Sequence, residues 1–130
     1  MPYLNKITVM GNLGKDPELR YLPDSTAAVS VPIAYSEKRT DKQTGEVKES
    51  IEWFSALFYG GAAEAVHRYM HKGDCIQVHG KLRTRQYVDQ QNRPRTTVEI
   101  LVSEFQMIYT KPKGTGSTDV NDPDSIHQHL

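Results

Sequence analysis

The sequence has little of what several classes of protein require. It contains a single cysteine, Cys75, so no disulfide can form within the chain, and a reducing compartment is expected. No apolar run approaches the length of a membrane span, and no segment after Met1 resembles a signal peptide, which indicates a cytoplasmic protein. Sixteen basic residues balance sixteen acidic ones, so the chain has no net charge. A histone-like protein that coats nucleic acid through its overall charge is therefore not expected.

Recognisable catalytic motifs are also missing from the sequence. The segment from Gly11 to Gly14 has two glycines, but neither the Walker spacing nor a following Lys-Ser/Thr pair is present. No nucleophilic residue lies in a recognisable nucleophile-elbow motif. No pair of carboxylates is accompanied by the other residues that metal-assisted hydrolysis needs. We therefore expect a protein that is not an enzyme and that uses no cofactor.

Positive charge is concentrated in one predicted hairpin. Between Lys81 and Arg95 there are five basic residues and one acid, which gives this segment a charge of +4. A strand's period of two places Lys81, Arg83, Arg85 and Tyr87 on one face. A row of cations that ends in an aromatic ring fits an extended polyanion, although lysine and arginine also protect exposed sheet edges from pairing.

The periodicity of apolar residues predicts a mostly β domain. Strands are expected at residues 5–10, 27–35, 51–59, 74–88 and 95–102, with a polar hairpin arm at residues 36–50. Alternation along the last two strands predicts that the following side chains point inward: Ile76, Val78, Val98, Ile100 and Val102. One helix is expected from Gly61 to His71, between the third and fourth strands. Its apolar stripe would consist of Ala62, Val66, Tyr69 and Met70, and Gly73 would end it in a left-handed conformation. This order predicts a five-stranded OB-fold, which is a Greek-key barrel.

The predicted third strand is apolar on both of its faces. One face carries Trp53, Leu57 and Tyr59, and the other carries Phe54, Ala56 and Phe58. A strand buried on both sides would have this pattern, and so would a strand whose second face stacks on nucleic-acid bases. The sequence pattern leaves both possibilities open.

The domain is expected to occupy residues 1–109. From residue 110 to residue 130 the chain shows no apolar periodicity and is rich in small and polar residues, which predicts a short disordered tail.

Several short stretches occur in a characteristic order along the chain. They are Asn5-Lys6 with Gly11 to Tyr21, Asp41 to Glu46, Glu52-Trp53, Tyr69 with Lys72-Gly73, and Gly80 to Arg85. Over residues 5 to about 109 the chain thereby resembles the bacterial-type single-stranded DNA-binding proteins. The resemblance implies a sequence-tolerant, non-enzymatic binder of single-stranded DNA that acts in replication, recombination and repair. It also implies a homotetramer with one OB barrel per chain, located in the cytoplasm and associated with the nucleoid.

The resemblance also implies roles for individual residues. The base-stacking aromatics of the family fall on Trp53, Tyr59 and Tyr87, while Arg39 stands where the best-known members have a further stacking tryptophan. A guanidinium plane can also stack on a base. Basic residues expected to contact phosphate are Lys6, Arg20, Lys42, Lys48, Lys72, Lys81, Arg83, Arg85 and Arg95.

Two departures from the family pattern bear on its partners. The chain closes with Ser125 to Leu130, whereas the family usually closes with an acidic tip that recruits replication and repair enzymes. The sequence therefore leaves recruitment by that route open. Phe54 stands where the best-known members have a histidine at a subunit contact, which predicts an altered assembly interface.

Two other functions compete with DNA binding. An OB-fold interaction module of the primosome type would use the cationic face for assembly. A metal site is suggested by His67, His71, Cys75 and His79, which recur every fourth residue and are good zinc ligands. Against the metal site, Gly73 interrupts the helix between the second and third of these residues, and no second cysteine pair is present.

Overall fold

The computed structural model describes residues 1–109 of the chain, so the predicted tail at residues 110–130 lies outside the described residues. The strands are β1 (Ile7–Leu13), β2 (Arg20–Tyr21), β3 (Ala27–Thr40), β4 (Val47–Tyr59), β5 (Cys75–Val88) and β6 (Pro94–Tyr109). The helix α1 (Gly61–Tyr69) lies between β4 and β5. Within residues 1–109, no helix is long and apolar enough to cross a membrane.

The strands form a closed barrel. Their order is β1-β5-β6-β4-β3-β2, and an additional pairing of β1 with β3 closes the sheet on itself. All pairings are antiparallel except the one between β4 and β6. Five long strands therefore make the barrel, with the short β2 added at β3, and the helix follows the third long strand. The predicted OB-fold is confirmed.

The core lies inside this barrel and under one side of the helix. Its largest fully buried side chains include Phe58, Leu13, Ile33, Met70, Ile76 and Ile100. Alternate residues of β3 and β4 point inward, and α1 with its C-terminal cap adds Ala63, Val66 and Met70. These helix positions are spaced by three and four residues, so they lie on one face.

Two details of the predicted helix are wrong. Tyr69 was expected in the buried stripe, but its side chain is 55% exposed and Ala63 takes its place against the core. The helix ends at Tyr69, and Met70 is its C-terminal cap. Gly73 does have a left-handed φ of 92°, but it belongs to the turn that follows the helix. Burial of Met70 against the core determines where the chain leaves the helix.

Two hairpin arms extend beyond the barrel. The β3–β4 arm (residues 36–51) stays paired as far as Thr40 opposite Val47, and the β5–β6 arm (residues 82–98) as far as Val88 opposite Pro94. Val98 was predicted to point into the core, but it is 53% exposed. No second layer of the barrel covers the β5–β6 arm at this position, so strand alternation alone does not bury the residue.

The barrel closes where β1 leaves β5 and reaches β3. β1 pairs with β5 from Ile7 to Asn12 and with β3 at Asn12 and Leu13. Gly11 lies at this crossing, and a Cβ atom there would come within 2.3 Å of the Ala34 carbonyl oxygen. The close approach of the two backbones therefore requires glycine.

We predict that Gly11→Ala destabilises the domain by roughly 1–3 kcal/mol, because the added methyl overlaps the backbone of β3. Gly61→Ala is the matched control, since nothing lies within 4 Å of a Cβ at that position. Chemical denaturation of both variants measures the difference. Equal stability of the two variants would contradict this account of barrel closure.

Candidate nucleic-acid interface

The strand register brings the predicted cations and aromatics to one side of the sheet. Glu99 of β6 lies opposite Arg83 of β5 and beside Ser55 of β4. Cross-strand neighbours share a face, and alternate residues of each strand return to it. The outer face, as we call it, therefore carries Trp53, Ser55, Leu57 and Tyr59 of β4, Glu99 and Leu101 of β6, and Lys81, Arg83, Arg85 and Tyr87 of β5.

Burial decides between the two interpretations of β4. Ala56 and Phe58, on its inner side, are completely buried. On the outer face Trp53 is 60% exposed and Tyr59 is 39% exposed. Leu57, between these two rings, is buried at 8% exposure, so the outer side of β4 is partly covered but still presents the Trp53 and Tyr59 rings to solvent.

Trp53 is held against a local platform. A Cβ on Gly14 would lie 2.6 Å from the Trp53 ring, and Pro32 lies next to the same position. The Gly14 amide also donates a hydrogen bond of 2.8 Å to the Pro32 carbonyl, which fixes the loop under the ring. One side of the indole thus lies close to the Gly14 backbone, while much of its surface remains accessible.

A groove of about 1010 Å³ lies at the other end of the outer face. Lys6, Tyr59, Lys81 and Arg83 all line it, so four of the predicted site residues meet there. Asn5 also lines the groove, although the sequence pattern predicted no role for it at the site. Its side-chain amide donates to the Leu82 carbonyl at 2.8 Å and accepts from the Leu82 amide at 2.9 Å. Asn5 thereby fixes the strand that carries Lys81 and Arg83.

Most cations of the basic hairpin are paired with acids. Glu99 lies 3.3 Å from Arg83 and 3.2 Å from Arg85, and its side chain is only 5% exposed. At the tip, Asp89 lies 3.0 Å from Arg95 and 3.4 Å from Arg93. Within the described residues, Lys81 is the one basic residue of this hairpin that forms no ion pair. The charge of +4 inferred from the sequence is thus reduced by Glu99, which lies four residues beyond the segment that was counted.

The local environment shifts two pKa values at these ion pairs. The Tyr59 hydroxyl and then Glu99 raise the pKa of Arg83. The backbone amide of Arg93 and the side chain of Arg95 lower the pKa of Asp89. Arg83 is therefore a fixed cation and Asp89 a fixed anion near neutral pH. The Arg83 Nε atom is buried and has no hydrogen-bond partner within the described residues.

Tyr87 is exposed at the outer end of the same row. Its ring is 42% exposed, and the Arg85 guanidinium lies over it with 5.6 Å between the guanidinium carbon and the ring centroid. A guanidinium over a ring face is attracted by the quadrupole of the ring. Arg85 therefore contacts both a buried carboxylate and an exposed aromatic ring.

The remaining predicted site residues lie elsewhere. Arg20 pairs with Ala28, which in turn pairs with Tyr59, so Arg20 faces the same side as Tyr59. Arg39 and Lys48 are direct cross-strand partners on the β3–β4 arm, and the register puts them on the side opposite to Trp53.

Two predicted lysines lie in turns. Lys42 follows Asp41 at the exposed tip of the β3–β4 arm. Lys72 lies in the turn after α1, where its backbone amide donates to Asp16 at 2.8 Å. Neither lysine lines the groove.

The residues of the suggested metal site do not converge. Within the described residues, no group of three or more histidine, cysteine or acidic side chains could hold a metal ion. His67 contacts the Pro17 carbonyl through Nδ1, and His79 contacts Thr8 and Gln77 through its two ring nitrogens. Burial raises the pKa of the Cys75 thiol, which disfavours the thiolate that a metal would require.

Comparisons with known proteins agree with this geometry. The family model described as the single-strand binding protein family matches residues 4–108. The chain is 42% identical over 111 residues to single-stranded DNA-binding protein 1 of Xylella fastidiosa (strain 9a5c), covering 85% of this chain and 82% of that protein. A solved structure of the Plasmodium falciparum SSB complex with ssDNA has a TM-score of 0.70 and 26% sequence identity. That similarity covers 82% of this chain and 94% of the other.

Proposed function

Because the chain belongs to the single-strand binding protein family, we propose that it binds single-stranded DNA across the outer face. The observation that carries this proposal is the register, which gathers exposed aromatic rings and basic side chains on one side of the sheet. Trp53, Tyr59 and Tyr87 stack on bases, and every base offers a ring face, so binding is tolerant of sequence. The protein is not an enzyme, as is the case for this family.

The phosphates run beside the stacked bases. Lys6, Lys81 and Arg83 contact them in the groove next to Tyr59, and Arg85 and Arg95 do so along the β5–β6 arm. Trp53 and Tyr59 are six residues apart on one strand, which is about 20 Å at the rise of a β-strand. This distance leaves room for several nucleotides between the two rings.

The other basic residues guide DNA that continues past this face. Arg39 and Lys48 lie directly opposite each other, and like charges in that position destabilise a strand pair. A phosphate between them would relieve the repulsion, and the Arg39 plane could stack on a base. Lys42 at the arm tip, Arg20 beside Tyr59 and Lys72 after α1 give weaker, purely electrostatic contacts.

We place the protein in replication, recombination and repair, where transiently exposed single strands need protection. The cytoplasm and the nucleoid are the compartments in which such DNA occurs. The chain would be a homotetramer, since several barrels on one strand raise the effective concentration of each. Exposed apolar side chains away from the outer face, such as Met10 at 45% and Ile108 at 40%, support a contact between copies.

The function is tested by comparing oligo-dT with a duplex of the same length. We expect much tighter binding to oligo-dT, because a duplex hides its base faces within the stack. An interaction module of the primosome type, with no DNA site, would bind neither ligand stoichiometrically. Comparable affinity for the two DNAs would contradict stacking as the main mode of binding.

The role of the aromatic rings is tested by truncation. We expect Trp53→Ala and Tyr87→Ala each to weaken oligo-dT binding by roughly 1–3 kcal/mol, or about 5- to 150-fold. Both rings are more than 40% exposed, so the free energy of unfolding should change far less than the roughly 3–5 kcal/mol lost with a core tryptophan.

Tyr69→Ala is the matched control, because Tyr69 is 55% exposed but lies on α1. Trp53 is also the only tryptophan, so its emission should be quenched by saturating oligo-dT. Unchanged emission, together with unfolding of Trp53→Ala, would assign this residue to the core.

The assembly is tested by light scattering at micromolar concentration. We expect a mass of four times the 14.7 kDa of one chain. The mass of a single chain would refute the tetramer while leaving the DNA-binding face of each barrel intact.

A further inference from the structure

Glu99 connects two halves of the outer face that are separate in the sequence. Its carboxylate is almost fully buried, with Oε1 3.3 Å from Arg83 Nη2 and Oε2 3.2 Å from Arg85 Nε. The two arginine side chains above it remain 40% and 54% exposed. Each carboxylate oxygen thus holds one guanidinium from beneath, and part of each guanidinium still faces solvent.

Each of these arginines also adjoins one of the two tyrosines of the interface. Arg85 lies over the Tyr87 ring at 5.6 Å. Arg83 lines the groove together with Tyr59. A row of neighbouring side chains therefore runs from Tyr59, which shares the groove with Arg83, through the two ion pairs of Glu99 to Arg85 and the Tyr87 ring, with the buried carboxylate at its centre.

We propose that Glu99 is a positioning residue for single-strand binding, which orients Tyr59 and Tyr87 through Arg83 and Arg85. The proposal rests on the proposed function, since it assigns Glu99 a role in that same site. A free arginine samples many rotamers, and a carboxylate that binds both guanidiniums removes this freedom before DNA arrives. The rings beside them are then held in place for stacking.

A purely electrostatic role for Glu99 predicts the opposite effect of substitution. A carboxylate within a phosphate-binding face repels DNA, so removal of its charge would strengthen binding to any polyanion. If Glu99 positions the rings, its removal weakens binding to single strands, which stack, while duplex binding follows the charge alone. The ratio of the two affinities therefore separates the two roles.

The decisive variant is Glu99→Gln, which has nearly the same shape but one acceptor oxygen in place of two. We expect its affinity for oligo-dT to fall roughly 3- to 30-fold, within the range for coupled neighbouring residues. Duplex affinity should stay equal or rise, with a log–log salt slope steeper by about 0.9 for one more available cation. A general loss of folding would lower both affinities together and leave their ratio unchanged.

Two further variants complete the test. Glu64→Gln makes the same change of charge on the exposed surface of α1, and its affinity ratio should stay within about twofold of the parent protein. Arg85→Lys leaves Glu99 intact and keeps the charge, but it lacks the planar fork that spans carboxylate and ring. It should lower the affinity ratio in the same direction as Glu99→Gln, and it provides the test if Glu99→Gln does not fold.

An oligo-dT affinity of Glu99→Gln equal to or above that of the parent protein would overturn the proposal. If Glu99→Gln does not fold, an unchanged affinity ratio in Arg85→Lys would do so. Failure of the parent protein to bind oligo-dT would instead refute the proposed function itself.

Discussion

The parallel contact between β4 and β6 is the interaction on which both the barrel and its proposed site depend. It consists of three residue pairs, from Ser55 opposite Glu99 to Leu57 opposite Leu101. These pairs join the strand that carries Trp53 and Tyr59 to the hairpin that carries the arginines. Without them the sheet would be open, and the aromatic and cationic rows would belong to separate hairpins.

The position of the charged side chains in this protein matters more than its net charge. The chain is neutral, and all four arginines of its most basic hairpin form ion pairs, with two negative charges from Glu99 and Asp89 shared among them. A face of this kind attracts polyanions less strongly than an unpaired row of the same cations would. Binding by such a face depends more on the exposed aromatic rings. These rings can stack only on bases that are not already stacked within a duplex. Internal ion pairing and selectivity for single strands are thus consistent with each other.

Local patterns predicted some residues correctly and others wrongly for identifiable reasons. Strand alternation correctly placed Ile76 and Ile100 inside the barrel. The same rule failed at Val98, because the arm extends beyond the layer that would cover it. Helical periodicity found the segment that forms α1 but assigned Tyr69 to the core. Two apolar stripes overlap along this segment, and both include Val66 and Met70, but one adds Tyr69 and the other adds Ala63. Only packing against β3 and β4 selects the stripe that contains Ala63.

The sequence by itself determined the order of strands and helix, the OB-fold and the residues that form the cationic row. These features depend on local periodicity and on short motifs, both of which can be read along the chain. The tertiary structure decided that Trp53 is exposed, that Asn5 fixes β5, that Arg39 and Trp53 lie on opposite sides of the β3–β4 pair, and that Glu99 pairs with Arg83 and Arg85. Each of these depends on register or packing between strands distant in sequence, which are fixed only when the barrel closes.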